Sequence, residues 1–213
     1  MKKQKDTQFT PAKRAAGRLE VICGSMFSGK TEELMRRLRR AEYAKRVVLT
    51  IKHLIDSRAH HQCILSHDGQ ERTAHPIDNT PQGIRKILAL AGPGIDVVGI
   101  DELQFFPKEI IPVILTLVEQ GKRVITAGLD LDFRGEPFGV IPTLMARADD
   151  VSKLNAICGC CGNAAHYSQR LVNGEPAQYD DPLVVIGAAE TYEPRCRRCF
   201  LINKKPHVLS ANV

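Results

Sequence analysis

Apolar and polar positions form alternating blocks along the chain, and these blocks predict strands and helices in turn. Short apolar runs bounded by polar residues or glycine predict buried strands at 19–23, 47–51, 96–100 and 123–127. Between them, apolar residues spaced three or four apart predict helices over 31 to about 45, 81–91 and 107–119. Strands that alternate with helices in this way indicate a parallel sheet covered on both faces.

Two parts of the chain lie outside this alternation. From position 53 to 75 the sequence is polar and has no clear period, which predicts an extended loop with one weak strand near 63–66. Beyond Asp150 come cysteine pairs, the turn signal Asn173-Gly174 and short β-type runs without alternating helices. We therefore expect a disordered tail over 1–17, an α/β domain over 18–150 and a small domain over 151–213.

The positive charge of the chain is concentrated at its start. Residues 1–18 hold six basic residues and one acidic residue, which account for most of the formal net charge of +6. This segment lacks the apolar region of a secretory signal, and its composition predicts a solvated tail. The longest apolar stretch, 110–118, contains Pro112 and is too short to span a bilayer. We expect a cytoplasmic protein that has neither a membrane nor a nucleic-acid partner.

The residues between the first predicted strand and the first predicted helix match the phosphate-binding pattern G-x-x-x-x-G-K-[ST]. They are Gly24, Ser25, Met26, Phe27, Ser28, Gly29, Lys30 and Thr31. Glycines allow backbone N–H groups to surround phosphate oxygens, Lys30 supplies positive charge, and the Thr31 hydroxyl is suited to Mg²⁺. A plain glycine turn before a helix is the alternative. Eight spaced positions in this context favour an ATP site.

A second element of nucleotide chemistry follows the third predicted strand. The apolar run before Asp101 and Glu102 has the form of a strand that ends in a carboxylate. Ligands of open α/β sheets bind at such strand ends, so Asp101 is expected near the Mg²⁺ held by Thr31. Glu102 is then close enough to the γ-phosphate to act on a nucleophile. By itself the pattern would more simply indicate a capping or turn carboxylate.

Two C-x-x-C pairs in the last third of the chain predict a metal site. Cys158, Cys161, Cys196 and Cys199 form a four-thiolate set suited to tetrahedral Zn²⁺. Such a set leaves no open position on the ion, so its expected role is to fold a segment that has no core of its own. Cys160 breaks the spacing and is expected to be a bystander. His166 is an alternative ligand, and a redox role for the pairs is the less favoured interpretation.

Taken together, these motifs resemble those of the zinc-containing P-loop thymidine kinases of human cytosol and many bacteria. The resemblance extends from about position 18 to 200. Its specific part is Asp-Glu-x-Gln-Phe-Phe at 101–106 combined with Tyr-Glu-Pro-Arg-Cys-x-x-Cys at 192–199. It implies a P-loop NTPase-like parallel sheet flanked by helices, with a small C-terminal zinc-binding lid domain. It also implies transfer of the ATP γ-phosphate to the 5′-hydroxyl of thymidine, with deoxyuridine as a further acceptor.

The resemblance also implies roles for individual residues. Glu102 resembles the general base of the family, Asp101 and Thr31 its Mg²⁺ anchors, and Arg58 its phosphate-neighbouring arginine. The positions that resemble those meeting the thymidine substrate are Met26, Phe105, Leu129, Phe133, Ser168, Val185, Gly187 and Tyr192. The family implies a homotetramer and feedback inhibition by thymidine triphosphate.

Two other functions are compatible with a phosphate loop and a cysteine cluster. One is a nucleic-acid-stimulated ATPase whose zinc element contacts DNA or RNA. The near-neutral body and the scarcity of aromatic residues argue against it. The other is a nucleotide sensor without turnover, which the presence of Glu102 makes the weaker hypothesis.

Overall fold

The computed structural model describes residues 16–55, 63–65, 69–183 and 190–206. Its centre is a six-stranded parallel sheet of β1 (Arg18–Gly24), β2 (Val48–His53), β5 (His75–Ile77), β6 (Val97–Ile100), β7 (Arg123–Gly128) and β8 (Asp150–Leu154). The strand order across the sheet is β5-β2-β6-β7-β1-β8. The helices are α1 (Lys30–Tyr43), α2 (Pro81–Leu90), α3 (Ile110–Glu119) and α4 (Ile141–Met145), with a 3₁₀ turn at Leu103–Phe105.

Helices cover both faces of the sheet, as the sequence pattern predicts. Alternate residues of a strand point to opposite faces, so Val21 and Ile22 of β1 belong to different apolar clusters. The Val21 cluster contains residues of α2, α3 and α4, whereas the Ile22 cluster contains those of α1. The buried residues of α1 include Leu34, Leu38 and Ala41, which belong to the apolar stripe of this helix.

The four predicted strands and three predicted helices are confirmed, with ends that differ by up to three residues. The polar stretch after β2 contains more structure than predicted. Besides β3 (Cys63–Leu65), close to the predicted weak strand, it holds β4 (Glu71–Thr73), paired with β3, and β5, which extends the main sheet beside β2. Each has three residues, and a run of three is too short to show a period.

The chain after α4 first completes the main sheet and then forms smaller β elements. Strand β8 pairs in parallel with β1, so the sheet continues past the predicted boundary at position 150. The smaller elements are the hairpin of β9 (Ala156–Ile157) with β10 (Ala164–Ala165), and a three-stranded sheet of β11 (Tyr167–Val172), β12 (Glu175–Pro176) and β13 (Glu190–Arg195). The predicted turn at Asn173-Gly174 joins β11 to β12, with φ of 51° and 84°. Over the described ranges, every helix is too short or too polar to cross a lipid bilayer.

Candidate functional site

The predicted phosphate loop lies between the end of β1 and the start of α1. Phe27 and Gly29 have φ of 64° and 81°, a left-handed backbone typical of loops that surround anions. Inside the loop, the backbone carbonyl of Ser25 accepts hydrogen bonds from the Lys30 ammonium at 2.7 Å and from the Ser28 hydroxyl at 2.8 Å. The loop is therefore held closed by its own polar groups, with Gly29 at the N-cap of α1.

The two predicted Mg²⁺ anchors are in direct contact. Oγ1 of Thr31 lies 3.0 Å from Oδ2 of Asp101, to which it donates a hydrogen bond. Strands β1 and β6 both pair with β7 in parallel, so their carboxyl ends lie at the same edge of the sheet. The hydroxyl at the start of α1 thus reaches the carboxylate that follows β6. An oxygen pair of this kind is suited to a hard cation such as Mg²⁺.

Glu102 follows Asp101 in an unusual backbone conformation. Its φ of 51° and ψ of 41° are left-handed, which a residue with a side chain adopts at a cost of about 1 kcal/mol or more. Oε2 of Glu102 accepts a hydrogen bond of 2.5 Å from the side-chain amide of Gln104. Gln104 is buried and has no role in the sequence prediction, although it is part of the Asp-Glu-x-Gln signature. The available sequence signal was its place in that signature, two residues after Glu102.

The phosphate loop is tied to the smaller β elements by two hydrogen bonds. The backbone N–H of Met26 donates to the hydroxyl of Ser168 at 2.9 Å, and the hydroxyl of Ser25 donates to the carbonyl of Ala165 at 3.2 Å. Ser168 and Ser25 are both buried. Three predicted site residues, Ser25, Met26 and Ser168, are therefore brought together, although Ser168 is 142 positions from Met26.

Phe133, one of the aromatic residues predicted to enclose the thymine ring, lies beside two arginine side chains. It is buried, and its ring lies under the guanidinium of Arg170, which is 4.2 Å from the ring centroid. A second guanidinium, that of Arg134, lies 5.2 Å from the same centroid. Tyr192 on β13 pairs with Arg170 on β11 in the antiparallel register. Arg170 is thus next to two predicted substrate residues, although the sequence prediction did not include it.

Arg134 and Arg170 also hold the chain at positions 181 and 182. Arg170 donates to the carbonyl of Pro182 at 2.6 Å, and Arg134 donates to the carbonyl of Asp181 at 2.9 Å. Each bond fixes the backbone that follows β12. Sequence spacing gave no signal for these contacts, because Arg134 is 47 positions from Asp181 and Arg170 is 12 positions from Pro182.

Phe105 and Leu129, also predicted for the substrate site, lie on either side of Gln104. The Phe105 ring makes an edge-on contact with Phe138, with centroids 6.0 Å apart. The backbone N–H of Leu129 donates to Oε1 of Gln104 at 3.0 Å. Both residues are partly buried, whereas Phe106 is part of the main core.

The four predicted metal-ligating cysteines converge within the small β elements. The sulfur atoms of Cys158, Cys161, Cys196 and Cys199 all lie within 4.8 Å of one another. Four thiolates on one tetrahedral Zn²⁺ would be about 3.8 Å apart, so the set fits such an ion closely. Cys160 is exposed and outside the group.

Proton binding within the cysteine group is uneven. Hydrogen bonds from backbone N–H groups, that of Cys196 first, lower the pKa of Cys158 to about 7, whereas hydrogen bonds with the thiols of Cys161 and Cys196 raise the pKa of Cys199 to about 12. One site therefore gives up its proton readily while another retains it. A cation at the centre would favour the thiolate form of all four.

The family model for thymidine kinase matches residues 17–200, a range that contains the phosphate loop, the Asp101–Glu102 pair and both cysteine pairs. The chain belongs to the thymidine kinase family. A thymidine kinase of Coprothermobacter proteolyticus is 56% identical over 180 residues, which cover 84% of this chain and 88% of the relative.

Among solved structures, this thymidine kinase family member has a remote likeness to the replication initiator DnaA bound to AMPPCP and single-stranded DNA. The likeness covers 65% of this chain and 40% of DnaA, with 16% identity and a TM-score of 0.39. The chain thus spans less than half of that protein, and so distant a likeness carries no argument about function.

A cavity of about 470 Å³ adjoins the cysteine cluster of this thymidine kinase family member. Its lining includes Lys153, His166, Tyr167, Arg197 and Arg198. It does not coincide with the phosphate loop or with Glu102. Three further predicted site residues, Arg58, Val185 and Gly187, lie outside the described residues.

Proposed function

We propose that the protein transfers the γ-phosphoryl group of ATP to the 5′-hydroxyl of thymidine, with deoxyuridine as a second acceptor. The observation that carries the proposal is the contact between Thr31 and Asp101, with Glu102 next to it, in a chain of the thymidine kinase family. A phosphate loop alone would be compatible with many nucleotide-binding proteins. A carboxylate that follows the Mg²⁺ anchor directly supplies a base for a hydroxyl acceptor.

The donor site is proposed to consist of the loop from Gly24 to Thr31 together with Asp101. The loop amides and Lys30 would bind the phosphates, and Arg58 would add a further positive charge. Mg²⁺ bound with ATP would neutralise charge on the β- and γ-phosphate oxygens. Lys30 donates to the carbonyl of Ser25 at 2.7 Å, which holds its ammonium group beside the loop backbone that would surround the phosphates.

Glu102 is proposed as the general base. Its carboxylate would accept the proton of the 5′-hydroxyl as the oxygen attacks the γ-phosphorus. The new O–P bond forms while the bond between that phosphorus and the β,γ-bridging oxygen breaks, and ADP leaves. A general base contributes typically about 10²–10⁴-fold to the rate. Binding of the acceptor depends on other residues, so loss of the base should reduce kcat far more than affinity.

The acceptor site is proposed to be formed by Met26, Phe105, Leu129, Phe133 and Tyr192, with polar contacts from Ser168, Val185 and Gly187. The hydrogen bond between Met26 and Ser168 supports this set, because it places a residue of the phosphate loop against β11. A thymine ring enclosed by these side chains would exclude water from the transferring phosphoryl group, which would limit hydrolysis of ATP.

The cysteine group is proposed to hold one structural Zn²⁺. The four sulfur atoms lie within 4.8 Å of one another, which supports this assignment. The apolar cluster in this region consists of Ala156, Cys158, Ala165 and Cys196 and is too small to stabilise a fold by itself. We further propose that the small β elements after β8 form a lid domain beside the α/β domain, that the enzyme is a cytoplasmic homotetramer, and that thymidine triphosphate inhibits it.

A nucleoside-dependent ADP-formation assay tests the function. Wild-type protein and Glu102→Gln would be compared with Mg-ATP and each of thymidine, deoxyuridine, deoxycytidine, deoxyadenosine and deoxyguanosine. We expect turnover with thymidine that falls by about 10²-fold or more in the variant. ATP hydrolysis that responds to added polynucleotide but to none of the nucleosides would reject the proposal.

A further inference from the structure

One side chain connects Glu102 to the wall of the proposed acceptor site. The carboxamide of Gln104 donates from Nε2 to Oε2 of Glu102 at 2.5 Å and accepts at Oε1 from the backbone N–H of Leu129 at 3.0 Å. Gln104 is only 4% exposed. Because the backbone of Leu129 can only donate here, the carboxamide has a single orientation, in which its N–H faces Glu102.

Two glycines leave room for Gln104, one beside its carboxamide and one beside its backbone. A Cβ atom on Gly128, at the end of β7, would lie 2.6 Å from Oε1 of Gln104. A Cβ atom on Gly139 would lie 2.4 Å from the backbone carbonyl oxygen of Gln104, and Gly139 has a φ of 57°. A side chain at either glycine would force Gln104 to shift. Glycines from two different segments therefore surround the backbone and the side chain of Gln104.

The unusual backbone at Glu102 gives such a support a role. Glu102 has the left-handed φ of 51°, and the next three residues form a 3₁₀ turn. A carboxylate on a strained backbone between a strand and a short turn would have several side-chain orientations in water. The Gln104 bond reduces the number of these orientations. A carboxylate that is already oriented does not have to reorganise during the reaction.

We propose that Gln104 is a positioning residue that orients the Glu102 carboxylate for proton abstraction and couples this orientation to the acceptor site through Leu129. The inference rests on the proposed function, in which Glu102 is the base. Gln104 itself is not proposed to touch ATP or the acceptor. Its two bonds have different expected effects: the one to Glu102 governs kcat, and the one to Leu129 governs the KM for thymidine.

Two substitutions at position 104 separate these effects. Gln104→Glu keeps an oxygen that accepts from Leu129 but replaces the donor to Glu102 by a second carboxyl group. We expect a thymidine KM within about threefold of wild type and a kcat reduced by about tenfold or more. Methionine has a side chain of similar length that makes neither bond, so Gln104→Met should lower kcat and raise the KM for thymidine. Thermal unfolding of each variant shows whether it is folded.

The pH dependence of kcat supplies a readout that a merely structural role would not move. In Gln104→Glu two carboxyl groups lie within hydrogen-bond distance, and like charges so close favour a shared proton. The acidic limb of the profile should therefore move to higher pH by at least about one unit. Gln104→Met removes the donor without adding a charge and should show a smaller displacement.

A double-mutant cycle with Glu102→Gln completes the test. If Gln104 acts through Glu102, then Gln104→Met should change kcat by less than about threefold in the Glu102→Gln background. Equal losses in both backgrounds, or a Gln104→Glu variant with wild-type kcat and an unmoved profile, would overturn the inference. A Glu102→Gln variant that retains full activity would instead reject Glu102 as the base, and with it the proposed mechanism.

Discussion

The hydroxyl of Thr31 and the carboxylate of Asp101 lie 3.0 Å apart although 70 positions separate them in the chain. The contact exists because β1 and β6 are each paired in parallel with β7, which brings the residues that follow both strands to one edge of the sheet. The phosphate loop and the carboxylate motif therefore form one candidate cation site. Its properties can be tested separately from those of the acceptor site.

Substitution of Asp101 should change the Mg²⁺ requirement first. We expect Asp101→Asn to increase the Mg²⁺ concentration needed for half-maximal activity by about tenfold or more, since a neutral amide is a weaker ligand for a hard cation. A Mg²⁺ titration at saturating ATP measures this change. Thr31→Ser keeps the hydroxyl and is the matched control, with a requirement close to that of wild type.

The bond between Met26 and Ser168 should contribute to binding of the acceptor. Ser168→Ala leaves the partly buried N–H of Met26 without its partner, which typically costs about 1 kcal/mol or more. We expect the KM for thymidine to rise by about fivefold or more. Ser168→Thr retains the hydroxyl and should restore most of the affinity. A KM unchanged in Ser168→Ala would show that the bond is not needed for binding.

Arg170 should be required for its planar guanidinium as well as for its charge. Arg170→Lys keeps the charge but loses the stacking on Phe133 and weakens the bond to the Pro182 carbonyl. Since a buried cation–π contact contributes about 2 kcal/mol, we expect the KM for thymidine to rise by about tenfold or more. Steady-state kinetics at varied thymidine concentration measures it. Wild-type KM in a correctly folded Arg170→Lys protein would contradict the expectation.

The four clustered cysteines should bind one zinc ion per chain. We expect elemental analysis to give one equivalent of zinc, and Cys161→Ser to lose the metal and melt at a lower temperature, because binding of a structural metal stabilises the fold directly. Cys160→Ser is the matched control, since Cys160 is adjacent in sequence but outside the group. It should retain the metal and the melting temperature of wild type. A metal-free Cys160→Ser protein would indicate a different ligand set.

Glu20 should make the stability of the sheet depend on pH. Its side chain is 5% exposed and lies 2.7 Å from Arg123 and 2.8 Å from Arg37. Burial works against ionisation, but these guanidinium groups together hold the pKa of Glu20 below its usual value of 4.5. A carboxyl with a lowered pKa in the folded state stabilises the protein above pH 4.5, and this contribution is lost as the pH falls further.

Removal of the Glu20 charge should therefore matter at neutral pH and less in acid. We expect Glu20→Gln to lower the free energy of unfolding at pH 7 by about 2 kcal/mol, because the partly buried guanidinium groups of Arg37 and Arg123 each lose a charged hydrogen-bond acceptor. The difference from wild type should shrink below pH 4.5. Denaturant titrations across this range measure it. Glu42→Gln, at a half-exposed ion pair with Arg72, should change stability by less than about 1 kcal/mol.

Local sequence patterns predicted the elements that are long enough to show a period. The 14 residues of α1 have an apolar stripe, and β1 is a run of apolar residues that ends in a glycine, so both are visible in the sequence. Strands β4 and β5 have three residues each and exist because of their partners: β5 is held by β2, and β4 by β3. Pairing across the sheet is a property of the fold, which short segments do not encode locally.

The residues of the candidate site likewise divide into those that the sequence predicted and those that only the structure revealed. The motif spacing determined the phosphate loop, the carboxylates at 101 and 102 and the four cysteines, because each depends on a few neighbouring positions whose chemistry is specific. The structure added Gln104, Arg170 and Arg134. Amide and guanidinium groups are common along any chain, and only burial against a particular partner distinguishes them.

By itself, then, the sequence determined which residue types this protein has available for phosphate and metal chemistry, and the order of its longer strands and helices along the chain. The tertiary structure alone decided which of them meet. Thr31 contacts Asp101, Ser168 contacts Met26, and Gln104 bridges Glu102 and Leu129. The physical reason is that short-range patterns fix the conformation of a segment, whereas contacts between distant segments depend on how a parallel sheet is ordered and on which side chains it buries.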